Sequence, residues 1–136
     1  MATILVIDDE RMICDLLRSV FSAHGHEVFM ATSGREGLEL FWQRKPRFTL
    51  LDLQMPEMDG IEVLQKIRAI DSKAPVIVLT GGGTDALEIR ARGLGVTDFL
   101  RKGLPLEVLV RTVDRVMQRP TSTMQAPSTA LAVEDA

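Results

Sequence analysis

Five short apolar runs, rich in branched residues, recur along the chain: TILVI (3–7), EVFMA (27–31), FTLLD (48–52), PVIVLT (75–80) and VTDFL (96–100). Between them lie longer stretches whose apolar residues fall three and four apart. The runs have the length of strands, and the intervening stretches have the period of amphipathic helices. In ERMICDLLRSVFSAHG the spacing predicts a helix that puts Met12, Ile13, Leu16, Leu17, Val20 and Phe21 on one face and stops at Gly25. Ser33, with Glu36 three residues on, is a capping signal for a second helix reaching about Trp42. Asp59 suits the cap of a third, which carries Ile61, Leu64 and Ile67. A fourth, from about Thr84 to Arg92, has only a short periodic face. The fifth starts at Pro105 and carries Leu106, Leu109, Val113 and Val116.

Strand and helix alternating five times predicts an α/β fold, a doubly wound parallel sheet with helices on both faces. A parallel crossover needs a helix-sized connection, and every connection here contains one. The first, third and fourth runs are almost wholly apolar, as strands buried on both sides require. The second is mixed and suits an edge. Beyond Arg119 the stretch PTSTMQAPSTALAVEDA loses all periodicity. The expected organisation is therefore one domain over 1–119, with 120–136 as a flexible tail or linker.

Composition narrows the class. At 136 residues the chain is one domain long, and 46% hydrophobic with 26% charged residues is the balance of a globular protein. A net charge of -3 without a basic cluster argues against contact with nucleic acid. No apolar run approaches the ~20 residues of a membrane span. Acids follow the first apolar run at once, which is unlike a secretory signal. Cys14 is the only cysteine, so no internal disulfide forms, and a cytoplasmic setting is expected.

In such a sheet the polar residues ending each strand meet along one edge, where ligands bind. Those residues are Asp8 and Asp9 (with Glu10 following), Asp52, Thr80 and Lys102. Asp52 is the oddest, a carboxylate at the end of an apolar run, which is costly unless its charge is compensated. Two carboxylates ~4 Å apart repel by about 4 kcal/mol near a protein surface. A cation is the natural remedy, and an all-oxygen ligand set favours Mg2+. Lys102 adds positive charge, and Thr80 offers a hydroxyl donor. Together they suit a phosphoryl group transferred in line to a carboxylate oxygen. Each residue alone has a plainer role, as a helix-start acid, a strand-end hydroxyl or a solvated lysine. Their convergence favours the site.

The segments LVIDDE, LLDLQMPEMDG, VIVLT and DFLRK, in this order and spacing, resemble the receiver domains of bacterial two-component response regulators, over residues 3–118. The resemblance implies a flavodoxin-like (βα)5 fold with strand order 2-1-3-4-5. It implies Asp52 as the phosphoacceptor, Asp9 as the direct metal ligand and Asp8 as a ligand through water. The backbone carbonyl of Gln54 completes that set. Lys102 would pair with the phosphoryl group, Thr80 would move to hydrogen-bond it, and Phe99 would be the aromatic that swings inward afterwards. The implied donor is a phosphohistidine on a sensor histidine kinase or a histidine phosphotransfer protein, with Mg2+ as cofactor. The only chemistry implied is phosphorylation of Asp52 and its slow reversal. A homodimer or an effector would be engaged through the face of helix 4, strand 5 and helix 5.

Two departures stand out. Gly103 follows Lys102 where the family usually has a cis proline, which predicts a trans bond there. Three glycines, 81–83, follow Thr80, giving a loop free to rearrange. Gln54 and Gly82 occupy the positions that set the dephosphorylation rate in the family, and Gly82 has no side chain to place a water. A haloacid-dehalogenase-like hydrolase is disfavoured because Gln54 stands where that family has a second acid. A receiver fold that is never phosphorylated, acting only as an interaction module, is the main alternative.

Overall fold

The computed structural model describes residues 2–82 and 84–117. Five strands and five helices alternate along it: β1 (Thr3–Ile7), α1 (Arg11–Ala23), β2 (Glu27–Ala31), α2 (Gly34–Arg44), β3 (Phe48–Leu51), α3 (Gly60–Ile70), β4 (Val76–Thr80), α4 (Asp85–Gly93), β5 (Asp98–Arg101) and α5 (Leu106–Met117). The strands form one parallel sheet in the order β2-β1-β3-β4-β5, as the apolar runs and the resemblance imply.

The helix starts follow local chemistry. Ser33 Oγ accepts from the Glu36 N–H as the capping signal predicts, while the Glu36 carboxylate accepts from the Thr32 N–H, one residue before the cap rather than the cap itself. Asp59 caps α3 at the Ile61 N–H. Thr84 caps α4 at the Leu87 N–H, so the weakest helix of the sequence pattern forms where expected. Glu10 at the head of α1 makes no side-chain cap.

The strand pleat sends alternate residues to opposite faces. Leu5, Ile7, Leu51, Val76 and Val78 join Ile61, Leu64, Ile67, Ala91 and Phe99 in the main core cluster. Helix α1 lies against β1 and β2. It buries Cys14, Leu17 and Phe21, whereas Met12 and Leu16 face solvent, Met12 with 84% of its surface exposed. The apolar stripe of this helix is wider than the face it buries, so periodicity alone misplaced those two residues. Trp42 is likewise exposed, although an edge-packing role suits its position in the sequence. The contacts divide the chain into two compact units, one through Pro105 and one from Leu106. In the second, Leu109, Thr112, Val113 and Val116 are buried along one side of α5, while Leu106 is exposed, contrary to the sequence pattern. The segment 120–136 lies outside the described residues.

Register positions the acids. Ile7 pairs with Leu51, the last residue of each strand. The ladder runs one step further, with the Asp52 N–H donating to the Ile7 carbonyl at 2.9 Å and the Asp8 N–H donating to the Ala31 carbonyl at 3.0 Å. Asp8 and Asp52 therefore leave adjacent central strands at the same height.

Candidate functional site

At this edge of the sheet Asp8 and Asp52 are both 3% exposed, and Thr80 at the end of β4 is fully buried. Lys102, one residue past β5, reaches across to them. Its N–H donates to the Thr80 carbonyl at 2.9 Å, which fixes its place beside β4. Its ammonium lies 3.0 Å from Asp8 Oδ2 and 3.2 Å from Asp52 Oδ2, and it also donates to Glu10 Oε1. The backbone assists, with the Glu10 N–H donating to Asp8 Oδ1 at 2.9 Å and the Gln54 N–H donating to Asp52 Oδ1 at 3.0 Å.

Electrostatics follow from that crowding. Burial pushes the Asp8 carboxyl up from 3.8 to about 6, and the Asp52 charge adds to the rise. The Glu10 N–H and Lys102 hold it back only in part. Burial by itself would lower the Lys102 ammonium, but its bonds to Glu10 and Asp8 and the charges of Asp8 and Asp52 outweigh that and shift it upward. Beneath the site, burial pushes the Cys14 thiol up to about 11, so it stays neutral and donates to the Asp8 carbonyl at 3.2 Å. Cys14 is thus the small buried residue that its lone occurrence suggests.

Asp8, Glu10 and Asp52 each bring one carboxylate oxygen within 4.8 Å of the others. Three hard oxygen donors at that spacing fit a divalent cation such as Mg2+, which takes few protein ligands and keeps several waters. Lys102 supplies the countercharge in this arrangement. The Thr80 hydroxyl has no hydrogen-bond partner among the described residues. A buried donor without a partner at the same sheet edge as an acidic cluster is chemically unspent.

Asp8, Asp52, Thr80 and Lys102 therefore converge. Asp9 does not join them: it is exposed, and Glu10 contributes the third carboxylate of the group. Nothing in the sequence distinguishes two adjacent acids after a strand from the third that follows. Phe99 is 7% exposed and already packed in the core cluster, with the Arg101 guanidinium 5.7 Å from its ring centre. The inward swing implied by resemblance has no outward starting point here. The Lys102–Gly103 bond is trans, and Gly103 has φ +98°, a conformation that side-chain-bearing residues avoid. The Gln54 side chain, unmarked in the sequence as a contact residue, donates to the Gly82 carbonyl at 3.1 Å.

A parallel 2-1-3-4-5 sheet with buried acids and a lysine at its carboxyl edge places the chain among the flavodoxin-like doubly wound α/β folds. The model of the response regulator receiver domain matches residues 4–114, and the chain belongs to that family. It is 37% identical to the response regulator MprA of Mycolicibacterium vanbaalenii over 120 residues, covering 87% of this chain and 51% of that protein. The chain thus spans about half the length of this relative. The structure of the chemotaxis protein CheY4 from Vibrio cholerae matches with TM-score 0.80 at 28% identity, over 85% of this chain and 98% of that one. A CheY-like receiver domain protein from Methanospirillum hungatei has the same fold, with TM-score 0.83 at 23% identity over 86% and 94% of the two chains. Among the described residues no helix is long and apolar enough to cross a membrane.

Proposed function

We propose that this receiver accepts a phosphoryl group on Asp52 and switches conformation as a result. The observation that supports this best is the pairing of a buried Asp52 carboxylate, 3.2 Å from the Lys102 ammonium, with the unpartnered Thr80 hydroxyl on the next strand. An Asp52 carboxylate oxygen attacks phosphorus in line. The bond from phosphorus to the imidazole nitrogen of a phosphohistidine breaks, and its electron pair leaves with the imidazole. The Gln54 N–H steadies the second oxygen of Asp52. Lys102 is placed to meet charge developing on the phosphoryl oxygens. The Thr80 hydroxyl gains in the phosphorylated state the partner it lacks here.

Asp8 and Asp52 would hold Mg2+, with the backbone carbonyl of Gln54 and a third acid. When bound, the ion neutralises the phosphoryl oxygens and orients the transfer. Asp9 is the third acid that the resemblance implies, and Glu10 is the one already turned toward the cluster. Comparing Mg2+ affinity in Asp9→Ala and Glu10→Ala separates them, since the true ligand's loss weakens binding more. The donor is a sensor histidine kinase or a histidine phosphotransfer protein. Output passes to a partner, an effector or a second copy through the side of the molecule that carries α4 and β5.

Incubation with phosphoramidate and Mg2+ followed by intact-mass measurement tests the proposal. A phosphoryl increment is expected on the wild type and not on Asp52→Ala. Failure of small-molecule donors and of a cognate kinase alike would leave a binding module that works without phosphorylation.

A further inference from the structure

A side chain from the loop after Asp52 reaches the loop after Thr80. The Gln54 amide nitrogen donates to the Gly82 carbonyl at 3.1 Å, while the Gln54 backbone N–H donates to Asp52 Oδ1 at 3.0 Å. The contact depends on Gly82 having no side chain. A Cβ there would lie 2.6 Å from Gln54 Oε1 and 3.0 Å from Nε2, so the amide occupies the space where a side chain would stand. Thr80, two residues before Gly82, carries a buried hydroxyl without a partner among the described residues.

We propose that Gln54 and Gly82 form a latch. It pins Gly82, and with it the end of β4, in the arrangement in which the Thr80 hydroxyl has no partner among the described residues. Release of the latch precedes movement of Thr80. Because the same residue bonds the Asp52 carboxylate through its N–H, a change at Asp52 reaches the latch across a single residue. The device is chemically modest, one neutral hydrogen bond at an exposed edge, and suits an element that must open readily. Its part in signalling rests on the phosphorylation of Asp52 proposed above; its presence in the unmodified protein does not.

Hydrogen exchange of a peptide spanning 79–88 in the unmodified protein tests the latch directly. Gln54→Ala should speed exchange there by about 2- to 10-fold, the span of one ordinary hydrogen bond, with the rest of the sheet unchanged. Gly82→Ala should do the same by expelling the amide, and the double variant should exchange no faster than the single ones, because both remove one contact. Unchanged exchange in Gln54→Ala, or additive effects in the double variant, would overturn the latch. Treatment with phosphoramidate and Mg2+ should then speed exchange in the wild type, and by a smaller factor in Gln54→Ala. Equal factors would remove the latch from the switch. A missing phosphoryl increment in mass defeats the phosphorylation proposal alone, while exchange in the unmodified protein still decides the latch.

Discussion

Two covered cations sit at opposite ends of the sheet and are satisfied in opposite ways. Lys102, at the carboxyl ends of the strands, is surrounded by the carboxylates of Asp8, Glu10 and Asp52. Arg68, near the C-terminus of α3, donates to backbone carbonyls. Its Nε donates to Leu94 at 2.6 Å, Nη1 to Ala74 at 2.8 Å and to Asp71 at 3.3 Å, and Nη2 to Gly95 at 3.0 Å. The shifts follow the partners. Acids outweigh burial and raise Lys102, whereas burial leads at Arg68 and lowers it, with the Asp71 charge opposing. Neutral carbonyls fixed in two loops give Arg68 one arrangement. Carboxylates can trade a lysine for a metal or a phosphoryl group. The sheet therefore has a fastened end and an exchangeable one.

The sharpest break between the two ends is chemical. Asp52→Asn should abolish the phosphoryl mass increment, while Arg68→Ala should leave it intact despite a less stable fold.

Asp8 should give the next largest effect, and it depends on pH. In the folded chain Asp8 keeps its proton to about pH 6, whereas an unfolded aspartate releases it near 3.8. Between those values the folded state binds more protons, so this group's contribution to stability falls as pH rises. Asp8→Asn should thus match the wild type near pH 4 and become more stable than it by up to about 3 kcal/mol above pH 6, by urea unfolding. A pH-independent difference would mean that Asp8 is not carrying a burial cost.

At the fastened end, Arg68→Lys should cost about 2 kcal/mol at all pH values from 4 to 8, because an ammonium cannot span carbonyls from both loops. Urea unfolding reads this as well. A cost that varied with pH would blur the distinction between the ends.

The smallest effects concern Thr49 and Thr80, buried hydroxyls without partners among the described residues. Replacing either by valine should leave stability within about 1 kcal/mol or raise it, since no hydrogen bond is lost. Only Thr80→Val should remove the response of exchange over 79–88 to phosphoramidate. Loss of that response in Thr49→Val would show that the effect is general.

How much of this was legible in the sequence varies with the kind of contact. The strands were plain because FTLL and VIVLT have few alternatives to a buried parallel sheet. That pattern alone puts Asp8 beside Asp52, since parallel strands end on one edge. Helix rotation was less plain: Met12 and Leu16 have the right period and the wrong face. Which of three successive acids turns toward Lys102 depends on backbone angles after β1, and no residue type encodes them. Arg68 gave no signal at all, because its partners are carbonyls, which every residue carries.

The neck of the loop that holds Asp52 has its own consequence. Gly60 opens α3 against the chain just past Asp52, its N–H donating to the Leu53 carbonyl at 3.1 Å, and a Cβ there would stand 2.2 Å from the Leu53 Cα. Residues 53–60 are thereby cinched into a collar too tight for even one methyl group. An alanine at position 60 would have to prise that collar apart, and the wedge would be driven home beside the acidic cluster.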